Sequence, residues 1–396
     1  MVNGIDWPVQ TLPYVIAATL EYVGIIITAI LSSEEDTMPR FVFIGSYTWD
    51  NEQAALHHHR REGIYTCQVS ADGQLSLLSA TPSGLNPTFI ALHPGRPLFY
   101  AVNEKEADQV RTFALDPATG ALTQLNSQPT GGVWPCHLSL DPAGKWLLTA
   151  NYYSGSLTIF PILPDGRLGP YSDIVKHRGI PGPDPVRQKT AHPHMIKFDP
   201  TGHFVLVSDL GLDRIFIYIL DASSGKLQPY TPGEVIMPPA SGPRHFVFNS
   251  TGRFLYLANE LDSTVTACTW DGGTGRLTPF QKLPTLPAGF EGVNNVADIH
   301  LHPNGRFLYV SNRGHDSLAI FAADERSGLL SALGHAPSGG RTPRGFAIDP
   351  FGKFLLVANQ DSNSIITLPI EEQTGLLSAP GVMIDLPLPA CVLFYQ

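Results

Sequence analysis

The sequence predicts an all-β chain: a seven-bladed β-propeller with four antiparallel strands per blade. Three observations carry that expectation. A block of about fifty residues recurs six times, and a final half-copy closes the chain. Apolar and polar residues alternate inside each block between tight-turn signals. Composition is turn-rich, with 37 Gly and 35 Pro, and hydrophobic residues make up 43% against 15% charged. A period of this size marks stacked or radial repeats, and the balance suits an all-β protein with ample core.

The copies read NPTFIALHPGRPLFYAVNE (86–104), WPCHLSLDPAGKWLLTANY (134–152), HPHMIKFDPTGHFVLVSDL (192–210), GPRHFVFNSTGRFLYLANE (242–260), NVADIHLHPNGRFLYVSNR (295–313) and TPRGFAIDPFGKFLLVANQ (342–360). Equivalent first positions are Pro87, Pro135, Pro193, Pro243, Val296 and Pro343, at steps of 48, 58, 50, 53 and 47 residues. Within a copy the first strand follows the Pro, as in PRHFVF. Pro-x-Gly or Ser-x-Gly then turns the chain. A second apolar strand ends at Asn, a third follows (STVTACTW, SLAIFAA), and a Gly-containing loop such as TGRL leads to a fourth. Four antiparallel strands repeated radially make a propeller blade.

The ends complement each other. A further step of 46 lands on Pro389, which opens PACVLF, a first strand with nothing after it. PRFVFIGSY (39–47) aligns with a second strand such as GRFLYVSNR. The C-terminal strand is therefore expected to be innermost in a seventh blade. Residues from about Pro39 to Leu78 supply its other three strands, which closes the ring. A solenoid would show no such complementarity.

Residues 1–37 fall outside the pattern, and residues 38–396 form the propeller domain. Residues 14–31 are nearly all apolar and approach the length of a membrane span. Glu21 interrupts them, and Asp6 rather than Lys or Arg precedes them, unlike a secretory signal. MPRFVFIGSYT from Met38 resembles a natural start. The segment reads as a poorly ordered extension or a start assigned too early, with an apolar anchor as the alternative. The four Cys show no CxxC spacing, which suits a reducing, cytoplasmic setting. A net charge of −10 argues against a nucleic-acid surface.

The repeat also locates a site. The start of strand one and the end of strand two share one edge of each blade, and these edges gather around one mouth of the channel. Just after the first Pro stand Thr88, Cys136, His194, Arg244, Ala297, Arg344 and Ala390. One residue on are Phe89, His137, Met195, His245, Asp298, Gly345 and Cys391. At the end of strand two come Tyr47, Glu104, Tyr152, Leu210, Glu260, Arg313 and Gln360. Scaffold positions would be alike from unit to unit, and these are dissimilar and ionisable. One Arg alone would be a surface ion pair. Three in matching slots of an acidic chain, beside a His and a Glu, suit a pocket for a carboxylate or phosphate with a base at hand.

The Asn preceding the last slot, Asn259 among them, suits a strand-end cap. DLGLDR (209–214) brings Asp213 and Arg214 near His194, as an interblade ion pair or a substrate contact. Asp298 and His300 share one parity, as a buried pair or site residues. His57–His59 alternate in direction along a strand and make a poor ligand set, so no metal is expected. HExxH, a Gly-rich phosphate loop and GxSxG are all missing, so no cofactor and no Ser nucleophile are expected.

Taken together, HPHMIKFDP, DLGLDR, GPRH, a strand ending NE, ADIHLHPNGRFLYVSNR and TPRGFAIDP resemble the seven-bladed propeller lactonases. That family includes the propeller-type bacterial 6-phosphogluconolactonase and the fungal 3-carboxy-cis,cis-muconate lactonizing enzyme. The resemblance runs from about Pro39 to the C-terminus. It implies His194, Arg244, Glu260 and Arg313 as catalytic residues. Substrate-binding candidates are Arg344, Arg214, Asp213, His245, Asn259 and Asp298. The expected activity is hydrolysis of a small anionic lactone, 6-phosphogluconolactone first, with Glu260 or His194 as base and Arg244 or Arg313 at the oxyanion. A muconate-type cycloisomerase and a non-catalytic binding propeller are the alternatives. Neither a nucleic-acid nor a membrane partner is expected, and the oligomeric state is open.

Overall fold

The structure, a computed structural model, describes residues 40–48, 63–104 and 108–395. The segment 1–37 and the run His57–His59 lie outside the described residues. Among those residues the strands form seven four-stranded antiparallel sheets. The innermost strands of blades 1 to 7 are Ile90–Leu92, Pro135–Leu140, Pro193–Phe198, Pro243–Phe248, Asn295–Leu301, Pro343–Ile348 and Pro389–Tyr395. Each touches the next, and the seventh touches the first. The chain is a closed seven-bladed propeller.

The split blade forms as the repeat predicts. Pro389–Tyr395 pairs with Phe41–Ser46, with Phe41 opposite Tyr395, Phe43 opposite Leu393 and Gly45 opposite Cys391. Gly63–Val69 and Leu75–Pro82 complete it. Its outer strand ends at Pro82, four residues past the sequence estimate of Leu78.

Apolar packing between blades supplies the core. Second strands such as Phe204–Asp209, Phe254–Asn259 and Phe354–Asn359 are buried along their whole length. Both faces of these strands are covered, so they read as continuous apolar runs rather than alternating ones. Phe41–Ser46 illustrates this. Phe41 and Phe43 join Phe99 and Phe113 of blade 1, while Val42 and Ile44 join Phe354 and Leu356 of blade 6.

Turn chemistry fixes the register. In the first hairpin of blade 3, Asp199 Oδ1 accepts from the amides of His203 (3.0 Å) and Phe204 (2.9 Å). Gly202 takes a positive φ of 72° there, a conformation that costs glycine little. A second device links successive blades. Asp108, Asp213, Asp316 and Asn363 sit with φ between 46° and 53°, a region Asp and Asn tolerate. Their side chains accept from the amides of Trp134, Gly242, Thr342 and Leu388, each at the entry to the next innermost strand.

Candidate active site

In six blades the ladder between the first two strands skips a residue just after the opening position. Cys136, His194, Arg344 and Ala390 are skipped singly; Arg244–His245 and Ala297–Asp298 fall within the other two irregularities. A bulge inserts one residue and re-aims its side chain. The two rim slots therefore separate into layers. The first slot feeds the mouth. The second lies beneath, where Phe89, His137 and His245 meet across the axis with centroids 4.1 to 6.1 Å apart. Gly345 keeps this layer open, because a Cβ there would meet the Ala390 carbonyl at 2.5 Å.

Above this layer lies a cavity of about 330 Å³, lined by Tyr47, Glu104, Trp134, Cys136, Tyr152, Tyr153, Val186, Arg187, His192, His194, Glu260, Arg313 and Arg344. Glu260 is its electrostatic centre. Arg187 Nη2 donates to Oε1 at 2.5 Å, Arg313 Nη2 lies 3.1 Å from the same oxygen, and Arg244 Nε lies 3.0 Å from Oε2. Burial raises the Glu260 pKa, but Arg313, Arg187 and Arg244 outweigh it and hold the carboxyl at about 2. A second carboxylate sits opposite. Glu104 Oε2 accepts from Tyr47 (2.9 Å) and Thr88 (2.7 Å), with Arg344 Nη2 3.8 Å away. Arg344 also stacks over Tyr47 at 5.1 Å. Its half-buried guanidinium stays charged, since the carboxylates of Glu104 and Glu260 work against its desolvation.

His194 differs from its neighbours. Burial, then Arg244, His245, Arg344 and Arg313, push its pKa well below the ordinary value. Its Nδ1 is buried without a partner. His192, by contrast, donates through Nδ1 to Tyr152 O at 2.9 Å and lies 3.5 Å from Thr190 Oγ1 through Nε2. The Cys136 thiol is raised by burial and stays protonated.

The model of the family described as "Lactonase, 7-bladed beta-propeller" matches residues 41–394. The chain belongs to the seven-bladed β-propeller lactonase family. It is 32% identical to the 6-phosphogluconolactonase of Bacillus subtilis, over 78% of this chain and 84% of that one. It is 36% identical to the 6-phosphogluconolactonase of Pectobacterium carotovorum, over 72% and 81%. The periplasmic gluconolactonase of Pseudomonas aeruginosa superposes with a TM-score of 0.83 at 31% identity, covering 90% of this chain and 99% of that one. The chain is thus an enzyme of the lactonase class.

Sequence candidates separate in space. His194, Glu260, Arg313 and Arg344 line the cavity. Arg244 stands behind Glu260, 2% exposed, and its Nη1 donates to the Ala297 carbonyl. His245 and Asp298 lie in the layer below, because the bulge turns the second slot down the axis. Asn259 is buried and donates to the hydroxyls of Thr264 and Thr266, both at 2.9 Å. Asp213 and Arg214 do not pair with each other. Asp213 holds the Ala240 and Gly242 amides at 2.8 Å, and Arg214 lies 3.3 Å from Glu234 on the outer strand. The αL turn that recurs at Asp108, Asp316 and Asn363 is the physical reason, and that series was readable in the repeat.

Arg187 escaped the slot-by-slot reading because it belongs to no slot. It lies in the connection from blade 2 to blade 3, inside the longest step, 58 residues. That excess length was the available signal, since long loops in compact folds are commonly functional. Asp184 Oδ1 orders this loop by accepting from the amides of Val186 and Arg187 at 2.8 Å. Gln188 Nε2 pins it to the Leu210 carbonyl at 2.8 Å.

These buried groups make stability acid-sensitive. The pKa values of His137, His194 and His245 are lowered in the fold, that of His245 to about 4, with burial the first cause. Below about pH 6.5 the unfolded chain binds protons that the folded chain refuses, so stability is full above that pH and falls beneath it. His245 alone is worth about 3 kcal/mol between pH 6.5 and 4. Glu260 adds a second loss as pH falls from its ordinary range towards about 2. Urea midpoints should hold from pH 8 to 7 and decline steadily below 6.5. A flat midpoint from pH 7 to 5 would contradict this account.

Proposed function

We propose that this chain hydrolyses 6-phosphogluconolactone to 6-phosphogluconate. The charge balance of the site carries the reading. Arg187, Arg244, Arg313 and Arg344 face the carboxylates of Glu104 and Glu260, leaving two positive charges in surplus. A phosphate monoester carries about −1.5 to −2 near neutrality. The cavity, about 330 Å³, is at the small end of ligand sites and suits one sugar ring. The relatives named 6-phosphogluconolactonase support the same substrate.

In this mechanism His194 is the general base. Water attacks the lactone carbonyl as His194 removes its proton, and Arg313 stabilises the oxyanion. The intermediate then breaks the ring carbon–oxygen bond, and the departing alkoxide takes the proton from His194. Arg344 and Arg187 hold the phosphate. Glu260, tied to three guanidiniums and held ionised, is a poor base and serves to fix Arg313, Arg187 and Arg244. Four free cysteines among the described residues support a cytoplasmic setting, which fractionation of the native cell would check. No helix among the described residues is long and apolar enough to cross a membrane.

The deciding assay follows acid release from 6-phosphogluconolactone above its spontaneous rate, beside unphosphorylated gluconolactone and carboxymuconate. The phosphorylated lactone should be preferred. Arg344→Ala should raise its KM roughly 10- to 100-fold, as expected for one charge-assisted contact, while gluconolactone kinetics stay nearly unchanged. Turnover of carboxymuconate alone would overturn the proposal.

A further inference from the structure

Beneath the cavity lies a part-buried polar cluster with no role in the hydrolysis proposed above. Asp298 accepts from His245 Nδ1 at 2.8 Å, His300 Nε2 at 3.1 Å, and the amides of Ile299 at 3.0 Å and Phe346 at 3.3 Å. Burial works against its charge, but His300 and His245 keep it ionised. An ionised carboxylate only accepts, so the His245 proton sits on Nδ1. The neutral His245 ring must then present a bare Nε2. That atom is buried without a partner, and so is Nδ1 of His194. The two rings are in contact, with centroids 5.2 Å apart and planes at 72°. Both residues are more than nine-tenths buried. One orphaned nitrogen must accept and the other can donate. The two rings share no hydrogen bond in this arrangement, and a small ring rotation or one bridging water would join them.

We propose that His245 and Asp298 are positioning residues for the base. Asp298 fixes the tautomer of His245, whose bare Nε2 accepts a hydrogen bond from the Nδ1–H of His194 and so leaves Nε2 of His194 unprotonated, as a base requires. The logic is that of an acid holding an imidazole in its working tautomer, extended by one ring. It also answers an electrostatic difficulty. When His194 takes the proton from water, the new cation lies among Arg244, Arg313 and Arg344. Asp298 is the anion on the channel side, and His245 couples it to that charge. Among the described residues, Lys197, His137, His300 and Cys391 are the other titratable groups facing the pair.

The inference rests on His194 being the base, and the variants separate the two claims. Asp298→Asn should lower kcat on 6-phosphogluconolactone roughly 10- to 100-fold, as for a displaced general base. KM and the affinity for 6-phosphogluconate should stay within about twofold, since neither residue lines the cavity. The acid limb of kcat should move to lower pH, because losing the anion disfavours protonated His194. Asp298→Glu should recover part of the rate, and His245→Gln should behave like Asp298→Asn. If the pair merely plugged the channel, melting temperature would fall while kcat and its acid limb stayed in place, and the proposal would be overturned. Full activity in His194→Ala would remove the base assignment and this inference with it. An inactive His194→Ala beside a fully active Asp298→Asn would remove this inference alone.

Discussion

His194→Ala is expected to lower kcat for lactone hydrolysis by roughly 10²–10⁴-fold, the range for a positioned general base, with 6-phosphogluconate still bound. The reason is elimination among the groups lining the cavity. Glu260 is held at about 2 by three arginines. Glu104 is occupied by Tyr47, Thr88 and Arg344. The phenols of Tyr47 and Tyr152 are raised by burial, as is the Cys136 thiol. His192 places both ring nitrogens near partners. His194 remains, held neutral. A depressed pKa makes a weak base, but the substrate corrects this. The phosphate at Arg344 and the carboxyl oxygen at Arg313 offset two of the charges that lower His194, so its pKa should rise on binding. Titration of the His194 ring by NMR, with and without 6-phosphogluconate, should show an upward shift. A wild-type rate in His194→Ala would refute the assignment.

Removing residues 389–396 is expected to abolish folding rather than weaken it. The strand follows all the others of the ring in sequence and is innermost in its blade. Its loss leaves Phe41–Ser46, buried throughout, as an unpaired edge. It also strips Cys391 and Leu393 from the cluster between blades 7 and 1, and Val392 and Phe394 from that between blades 6 and 7. A large apolar side chain is worth about 1.5–3 kcal/mol when fully buried; Val392, Leu393 and Phe394 are partly buried, so it is their loss together with that of the whole ladder to Phe41–Ser46 that approaches the roughly 5–15 kcal/mol net stability of a typical domain. The truncated chain should be insoluble or lack a cooperative melt. A peptide spanning residues 386–396, supplied during refolding, should restore part of the soluble fraction. A truncated protein melting within a few degrees of the full chain would show that the ring does not need this clasp.

Much of this was legible because a repeat repeats its environment. Strand positions showed as alternation, turns as Pro-x-Gly, and closure as two half-copies that fit. His194, Glu260, Arg313 and Arg344 stood out as ionisable residues in slots where a scaffold would be uniform. Three things were hidden. The bulge after the opening residue in six blades separates neighbouring positions into two layers, and no residue type announces it. That is why His245 and Asp298 looked like rim residues. Arg187 comes from an irregular connection, which a comparison of equivalent positions passes over. Asp213 and Asn259 share the chemistry of site residues, but their carboxylate and amide go to the backbone and hydroxyls of adjoining turns, as buried polar groups must.

The clasp also sets a timetable. Glu104, His194, Glu260, Arg313 and Arg344 come from blades 1, 3, 4, 5 and 6, one apiece, and Arg187 from a connection between blades. No pair of neighbouring blades holds the site, so no folded fragment can act as a smaller enzyme. The strand that closes the circle is also made after every other strand of the ring. A chain still in synthesis can have most of its hydrogen bonds and none of its chemistry. Turnover should therefore appear late and all at once, and on refolding it should lag behind recovery of β-structure.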